Sequence, residues 1–495
     1  MSAHAGSESL AAPRAGAGLH DEFVASAVTL RAVAIGGGLA WAVAFVVVGL
    51  GWRLQTYADG ALFSYAVAVR EVWAFHWRDI AVRGVVALVT MAPAEFVAGW
   101  TGDLQAGVVA YGALFFSVPL LSLAGTYAAD RTEGRPFFTW ACVSTASLCP
   151  LVFGFPTEMW VAHGLFWPTL ASAHGAPPGR AGALRVCCLM VALAFTHEGA
   201  LVLIGTLLAG LSPRGVGDAR FRRAAACAGA AVVLWVTANA LAPPGPYFGE
   251  VRWRAATQFL DPGLLLSSLA LTLGGALSLY GISLLALARL TGRPQAFLAV
   301  GASAAALAAY WALWDHSLHA DERYGMRTAL LVFTAILGGF ASLAALPGSL
   351  SAARLVRDAG TRLLSPGGAR ALAGALALVM LVHAVETAKF ARAWTRYRAA
   401  VTDLARGTLA DPALGSPDFV SVTRAAADPR LGWSSTTPYL GVLVADFRPR
   451  RLVVDPGAGY FWLSCAVATG SVDAGGLDDR RARDLLRDYA CLHRP

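Results

Sequence analysis

Long apolar stretches separated by short polar connections occupy most of the chain between residues 30 and 388. Each is long enough to cross a hydrocarbon core roughly 30 Å thick as an α-helix. The pattern therefore predicts an all-α polytopic membrane protein. Its eleven expected transmembrane helices lie near residues 30–52, 80–98, 105–126, 136–153, 155–173, 184–211, 224–243, 263–288, 295–314, 327–347 and 371–388.

The composition agrees with this fold class, since 57% of the 495 residues are hydrophobic and 14% are charged. These values exclude an ordinary soluble enzyme. The net charge is +8, but the chain has no soluble basic region with interleaved aromatic side chains. We therefore expect no nucleic-acid partner.

Arginine-rich connections indicate the orientation, because an excess of Lys and Arg marks the cytoplasmic side of a membrane. Connections 212–223, 288–294 and 351–370 fall on one side when eleven helices are threaded, which makes the N-terminus cytoplasmic. We expect a multi-pass protein of a bacterial inner (plasma) membrane. Its expected parts are a cytoplasmic tail (1–28), a transmembrane domain (29–388) and a small extracytoplasmic domain (389–495).

The expected extracytoplasmic domain mixes helix and strand. AKFARAWTRYRAAVTDLARG (388–407) and DDRRARDLLRDYACL (478–492) read as helices, whereas LGVLVADF (440–447) and RRLVVDPG (450–457) alternate as short strands do. Between them, GWSSTTPYLGV (432–442) is rich in hydroxyls and aromatic rings, a surface on which sugars stack. The pattern predicts a small α/β domain.

Asp59 lies in the first of four outer connections, 53–79, directly after the first expected helix. It precedes ALFSYAVAVREVWAF, an amphipathic stretch expected to lie flat in the membrane interface. Asp59 could cap that helix by accepting its first free N–H groups. It could also be a general base with a pKa tuned by partial burial. The two roles are compatible. The other outer connections are 129–135, 242–262 and 314–327.

The connection 314–327 carries the densest set of charges in the chain. Two histidines three residues apart beside carboxylates are a weak signal for a divalent metal, and a solvated charged loop is the preferred interpretation. We predict no metal and no other cofactor, with a divalent metal as the alternative. The residues are Asp315, His316, His319, Asp321 and Glu322.

Arginines at this outer side could hold a phosphate group. Arg323 and Arg327 are four residues apart on one face of the tenth expected helix, and Arg252 and Arg254 flank Trp253. Guanidinium groups bind phosphate oxygens in a bidentate way and stay charged at any working pH. The alternative for the second pair is that both arginines extend to the interface beside Trp253.

Polar residues also interrupt two expected helices. A charge in the bilayer centre costs about 2.5–3.5 kcal/mol, so such residues usually have a partner. Counted from the connection between these helices, Glu158 and His197 lie at the same depth and can pair, beside Glu198 and His163. This intramembrane seam could fix helix packing, relay protons or line a lipid groove. If 153–163 is re-entrant, Glu158 instead joins the outer site.

Two of the seven cysteines, Cys465 and Cys491, lie outside the expected helices. Both fall on the oxidising side of the membrane in this topology, which predicts a disulfide between them. Closing a loop of this size stabilises a domain by about 3–4 kcal/mol. The alternative is two independent small hydrophobes.

Two short motifs resemble a known family. TYADGALFSY places Asp59 after the first helix, and ADERYGMRTALLVF runs from a charged loop through Arg323 and Tyr324 into an apolar helix. This layout, over about residues 30–390, resembles the GT-C class of integral membrane glycosyltransferases, which use polyprenyl-phosphate-linked sugars. The chain departs from that class in lacking a second acidic residue beside Asp59 and in having Met326 where a proline often follows Arg-Tyr.

The resemblance implies sugar transfer from a polyprenyl-phosphate donor to an envelope lipid or glycan acceptor at the outer face. Asp59 would deprotonate the acceptor, and arginines with Tyr324 would hold the leaving phosphate, where negative charge grows. The alternative class is a transporter or flippase that uses Glu158 and His197 as its ion or proton site. A transporter predicts a midplane cavity open alternately to both sides. A third class, a non-catalytic envelope assembly protein, needs none of these charges.

Overall fold

The computed structural model of the chain describes residues 15–73, 81–177, 179–243, 257, 268–289, 294–313, 320–346, 365–408, 418–424, 429–433 and 436–455. These residues form helices almost throughout. In chain order the helices are α1 (Ala15–Gly51), α2 (Asp59–Ala68), α3 (Gly84–Thr101), α4 (Leu104–Phe116), α5 (Val118–Ala129), α6 (Pro136–Ser147), α7 (Glu158–Gly175), α8 (Arg180–Ala194), α9 (Ala200–Leu211), α10 (Ala219–Leu241), α11 (Ser268–Arg289), α12 (Pro294–Leu313), α13 (Ala320–Ala344), α14 (Pro366–Arg406) and α15 (Thr437–Val444).

Local sequence signals set several of the helix ends. The side chain of Asp218 accepts the N–H groups of Arg220 and Phe221 and so caps the start of α10. Thr157 caps α7 in the same way. A side-chain oxygen at this position satisfies backbone donors that have no partner within the helix.

The described residues confirm a helical membrane protein. They contain six helices long and apolar enough to cross a membrane, or seven if the bent pair α4 and α5 forms one span. Helices occupy all eleven expected segments, although α6, α9 and the described apolar part of α12 are shorter than a full span. The number of eleven crossings stays a prediction.

Contacts between connections define two ends of the helix bundle. At one, the Arg214 end, Arg223 donates to the carbonyl oxygens of Ala176 (3.1 Å) and Pro177 (2.9 Å). Arg214 donates to Ala345 at 3.5 Å. The connection between α7 and α8, the end of α9, the start of α10 and the end of α13 therefore lie together.

The opposite end of the bundle, the Asp59 end, is where α1 terminates and where α7 and α13 begin. Arg327 of α13 lies 3.8 Å from Asp59. Arg323 donates to the carbonyl of Phe153, in the loop that precedes α7. Of the candidate residues predicted on the outer side, Asp59, Arg323 and Arg327 thus meet at this end.

The segment 184–211 does not form the single helix that its hydrophobicity predicts. It is broken at residues 195–199 into α8 and α9, which form a hairpin with both outer ends at the Arg214 end. The Thr196 hydroxyl bonds a carbonyl three residues earlier, and His197 accepts the N–H of Gly199 at 3.0 Å. Such local side-chain bonds compete with the helical hydrogen-bond ladder. The polar residues therefore mark a turn.

One connection and one helix also differ from their expected positions. The connection 129–135, predicted on the outer side, lies at the Arg214 end, because Gly175 packs against the carbonyl of Ala129. Helix α3 begins after Arg83, at the Asp59 end, and is followed by Gln105, which donates to Leu443 of the C-terminal segment at 3.2 Å. Helix α3 is apolar enough to cross a membrane, but both of its ends lie at the Asp59 end of the bundle, where the C-terminal segment packs.

The stretch after Asp59 is buried, although its pattern predicts an interfacial helix. Phe63 and Val67 of α2 are shielded from solvent, and the Ser64 hydroxyl donates to the carbonyl of Gln55 at 2.9 Å. The N-cap residue is Ala58, and Asp59 is the first residue of the helix. Asp59 is therefore not the helix cap that its position predicted.

The C-terminal segment packs at the Asp59 end. Helix α14 is 41 residues long and extends beyond the bundle into this segment, as the sequence predicts. Strands β1 (Phe419–Ser421) and β2 (Leu452–Val454) pair in parallel, and β2 confirms one expected strand. The other, LGVLVADF, is largely helical because it belongs to α15.

Candidate functional site

A buried arginine, Arg83, binds two carboxylates at the Asp59 end. Its Nη1 donates to Glu158 Oε1 at 2.8 Å, while Nε and Nη2 donate to Glu198 Oε2 at 3.1 and 2.9 Å. The three side chains are 8, 3 and 18% exposed. Charge-assisted bonds of this length are strong and directional. We call these three residues the Arg83 cluster.

Three breaks in helical structure form this cluster. Arg83 ends a 3-10 turn before α3, Glu158 is the first residue of α7, and Glu198 lies in the break between α8 and α9. Both carboxylates were predicted site residues, whereas Arg83, which lies inside an expected span, was not. An arginine within the first residues of an apolar segment was the available signal, because such a charge needs a partner.

His197 adjoins the cluster, but Glu158 pairs with Arg83 and not directly with the imidazole as predicted. His197 Nδ1 lies 3.6 Å from Glu198 Oε2 and accepts the N–H of Gly199. It remains within electrostatic range of Glu158. Three residues of the predicted seam, Glu158, His197 and Glu198, therefore lie around Arg83, which was not predicted as part of it.

His163 lies in a separate polar group. One ring nitrogen is 2.8 Å from the hydroxyl of Ser144 and accepts from the indole N–H of Trp167 at 3.4 Å, and the Cys149 sulfur is 3.5 Å from the other. These partners hold α6 against α7. The contacts of His163 are thus those of a helix-packing residue.

Asp59 and Arg327 face each other more loosely. Asp59 Oδ2 lies 3.8 Å from Arg327 Nη1, and the side chains are 21 and 10% exposed. Within the described part of the chain, the Asp59 carboxylate accepts no hydrogen bond. Burial raises the pKa of Asp59 to about 6, Arg327 opposes the shift, and Glu158 adds to it. A carboxylate of this kind can accept a proton near neutral pH.

The two arginines of α13 have different surroundings. Arg327 Nε donates to the carbonyl of Tyr324 at 3.1 Å, and its guanidinium lies 3.4 Å from the centre of the Tyr324 ring. Arg323 is buried, donates to Phe153 and lies 3.8 Å from the Phe390 ring. Arg323 therefore anchors the loop before α7, while Arg327 faces the candidate base.

An aromatic wall of Trp433, Tyr324 and Phe155 borders Arg327. Trp433, from the C-terminal segment, stacks on Tyr324 with ring centres 5.0 Å apart and planes at 27°. Phe155 meets Trp433 edge-on at 5.5 Å. Trp433 belongs to the GWSSTTPYLGV stretch, so this part of the C-terminal segment lies beside the Asp59 and Arg327 pair.

Close backbone packing positions Asp59. A Cβ atom added at Gly60 would lie 2.4 Å from the carbonyl oxygen of Gln55 and 2.6 Å from Pro156 Cγ. Gly60 therefore lets the start of α2 approach the loop that leads to Glu158. The preceding Ala58 has φ 49° and ψ −127°, a conformation that an alanine rarely adopts. The loop is held in place by its neighbours.

Several predicted site residues lie outside the description. Within the described residues, no group of three or more His, Cys, Asp or Glu is arranged to hold a metal ion, and five cysteines are free. The backbone of Asp321 and Glu322 belongs to α13, but their side chains are not described. Lying outside the described residues are Arg252, Arg254, Asp315, His316 and His319, and also Cys465 and Cys491 with their predicted disulfide.

The fold and site define a helical membrane protein with a charged, aromatic-lined site at one end of the bundle. Comparisons of the chain with protein-family models, curated proteins and solved structures gave no match.

Proposed function

We propose that the protein is a membrane glycosyltransferase that transfers a sugar from a polyprenyl-phosphate donor to an envelope lipid or glycan. The observation that carries the proposal is the pair of Asp59 and Arg327, 3.8 Å apart, in which the Asp59 side chain is 21% exposed and the Arg327 side chain 10%. A candidate base and a phosphate-binding cation stand together without a hydrogen bond between them. A reacting hydroxyl and a departing phosphate need these two groups close together.

In the proposed step, Asp59 takes the proton of the acceptor hydroxyl. The acceptor oxygen forms a bond to the anomeric carbon, and the bond from that carbon to the phosphate oxygen breaks. Its electron pair leaves with the polyprenyl phosphate, where Arg327 stabilises the added negative charge. The raised pKa of Asp59 suits this role, because a base is most effective when its pKa is near the working pH.

The aromatic wall supports a sugar substrate. Tyr324 contacts both Trp433 and Arg327, so an aromatic face lies next to the proposed phosphate position. Sugar rings present C–H groups that pack on such faces, while an acyl or prenyl chain needs no flat ring. In this proposal Trp433 contacts the transferred sugar or the acceptor.

The proposed orientation puts the Asp59 end outward. Arg214 and Arg223, from the arginine-rich connection 212–223, lie at the other end, which supports a cytoplasmic location for it. In this proposal α8 and α9 make two crossings where one was expected, and α3 makes none. The proposed total remains eleven, with the N-terminus cytoplasmic and the C-terminal domain extracytoplasmic in a bacterial plasma membrane.

A lipid flippase or transporter is the second candidate, favoured by one observation. The Arg83 cluster holds two carboxylates on one buried arginine, a net negative charge that an ion-coupled transporter would use. Proteoliposomes distinguish the two candidates. A flippase moves an intact polyprenyl-phosphate sugar between leaflets, whereas the proposed enzyme releases polyprenyl phosphate.

The test of the proposed function is the variant Asp59→Asn. It keeps the size of the side chain but removes the base, so we expect release of polyprenyl phosphate from a polyprenyl-phosphate sugar to fall by about 10² or more. The assay uses purified protein with a membrane fraction as acceptor. Asp403→Asn is the matched control, since Asp403 is exposed on α14 away from the site.

The control variant should retain native turnover, and Asp59→Asn should unfold at or above the native temperature. If Asp59→Asn keeps the native turnover, Asp59 is not the catalytic base. If the native protein moves the intact donor from one leaflet to the other and releases no polyprenyl phosphate, the result favours the flippase.

A further inference from the structure

A buried histidine without a hydrogen-bond partner lies at the Arg214 end, far along α7 from Glu158. His174 is 2% exposed, and neither ring nitrogen has a partner among the residues that the structure describes. One neighbour is the ring of Phe137, with centres 4.8 Å apart. An unsatisfied buried polar group costs about 1–3 kcal/mol. A group of this kind indicates a ligand or water that completes its bonds.

Three arginines lie near this position. Arg214 and Arg220 lie within electrostatic range of His174. Arg223 donates to the carbonyls of Ala176 and Pro177, two and three residues after His174 in the chain. In the described part of the chain, the Nε atoms of Arg214 and Arg223 are also buried and have no acceptor. Buried donors on two arginines therefore lie close to the unpartnered histidine.

The nearby carboxylates do not satisfy these donors. Asp218 lies within electrostatic range of Arg214 and Arg220, but its Oδ1 accepts the N–H groups of Arg220 and Phe221 at the start of α10. Asp130, at the same end, accepts bonds from Thr132 and Phe138. The set of His174 and three arginines keeps an excess of positive charge.

We propose that His174, Arg214 and Arg223 form a binding site for a phosphate group at the Arg214 end, with Arg220 adding to its positive potential. A phosphate has acceptor oxygens for the unused Nε–H donors and for an imidazole N–H, and its charge opposes that of the arginines. Water could satisfy the hydrogen bonds but would leave the excess charge uncompensated. The phosphate comes from an anionic phospholipid headgroup or from inorganic phosphate.

This site is independent of the proposed sugar transfer. It lies at the opposite end of the bundle from Asp59 and Arg327, and it uses none of their side chains. In a membrane it would face the leaflet opposite to the transfer site. An anionic lipid bound there would join the turn after α7 to the start of α10, and so stabilise the hairpin of α8 and α9.

The test measures thermal unfolding of the full-length protein. One arm titrates inorganic phosphate against chloride in detergent at equal ionic strength, and the other compares nanodiscs of phosphatidylcholine with nanodiscs that also contain phosphatidylglycerol. Because a ligand stabilises the folded state that binds it, we expect a higher unfolding temperature with the phosphate source. Stabilisation by phosphatidylglycerol alone identifies a lipid headgroup, and stabilisation by inorganic phosphate as well shows that the phosphate group suffices.

Matched arginine variants separate a site from general surface charge. Arg214→Ala should weaken the apparent affinity by about tenfold or more. Arg222→Ala, which removes an exposed arginine from the same turn, should change it by less than about twofold. If neither source stabilises the native protein, or if the two variants weaken binding equally, the proposal is wrong.

His174→Leu provides a second variant that does not depend on arginine. Leucine removes the unpartnered nitrogens without leaving a cavity as large as alanine would, so the protein should fold with an unchanged or higher unfolding temperature in chloride. The stabilisation by the phosphate source should be lost. Full stabilisation of folded His174→Leu would exclude the histidine from the site and overturn the proposal.

Discussion

Arg83 and Arg327 lie at the same end of the bundle and are both buried, at 7 and 9% exposure. Their partners differ. Arg83 binds two carboxylates at 2.8 and 2.9 Å, whereas Arg327 is 3.8 Å from one carboxylate and rests on the ring of Tyr324. The Arg83 guanidinium uses its N–H groups on two carboxylates, which is typical of a structural ion pair. The Arg327 guanidinium contacts a ring and a more distant carboxylate, so it can still bind an anionic ligand.

The two arrangements also act on each other. Glu158 of the Arg83 cluster raises the pKa of Asp59, and Arg327 lowers it, after burial has raised it. Arg83 of the same cluster lowers the pKa of Asp59 by less than Glu158 raises it, so burial and the Glu158 carboxylate make Asp59 a stronger base than an ordinary surface aspartate. Arg83 thus holds the Glu158 carboxylate in place, and that carboxylate raises the pKa of Asp59, the candidate base.

The largest expected effect follows from removing each arginine in turn. Arg83→Met leaves the buried Glu158 and the mostly shielded Glu198 without their cation and should destabilise the protein by about 3–5 kcal/mol. Arg327→Met leaves one partly exposed carboxylate, which can protonate, and should cost about 1 kcal/mol or less. Thermal unfolding in detergent measures both. Equal losses would show that the two arginines do not differ as described.

Gly60→Ala tests whether the loop geometry positions Asp59. The new methyl group would meet the Gln55 carbonyl at 2.4 Å, so the start of α2 must move, at a cost of about 1–3 kcal/mol. Moving the candidate base should lower turnover by about tenfold or more. The control is Gly84→Ala, where no atom lies within 4 Å. A fully active Gly60→Ala would mean that Asp59 needs no such precision.

Trp433→Leu tests the aromatic wall. The ring should contribute about 0.5–1.5 kcal/mol to sugar binding, so KM should rise roughly two- to tenfold with kcat less affected. Trp100→Leu is the control, because Trp100 is 79% exposed on α3. Equal KM changes in both variants would assign the effect to general loss of aromatic surface.

The smallest effect at neutral pH comes from the titration of Asp59. Its pKa of about 6 means that kcat/KM of the proposed transfer should rise with pH through that value and then level, because only the ionised form accepts a proton. Stability should change in the opposite direction. The folded protein holds this proton more tightly than the unfolded chain, so ionising Asp59 costs stability as pH rises from its usual pKa through about 6. Unfolding of Asp59→Asn should lack this part of the pH dependence, and an unchanged dependence would assign it to another group.

The sequence by itself determined the fold class and most of the charged residues that matter. Helices occupy each of the eleven apolar segments, because about 20 apolar residues can satisfy their backbone in a membrane only as a helix. Asp59, Glu158, Glu198 and Arg327 stood out because their charges adjoin or interrupt those segments. A charge there requires a partner, which makes it informative without any structure.

The tertiary structure decided which of these residues meet and which way the chain runs. Hydrophobicity cannot distinguish one helix over 184–211 from a hairpin, since the break depends on the local bonds of Thr196 and His197 and on the bonds of Glu198 to Arg83. Nor could it join Arg83 to two carboxylates 75 and 115 residues away, or separate the anchored Arg323 from the available Arg327. These pairings depend on long-range packing, and a periodic pattern along one chain carries only local information.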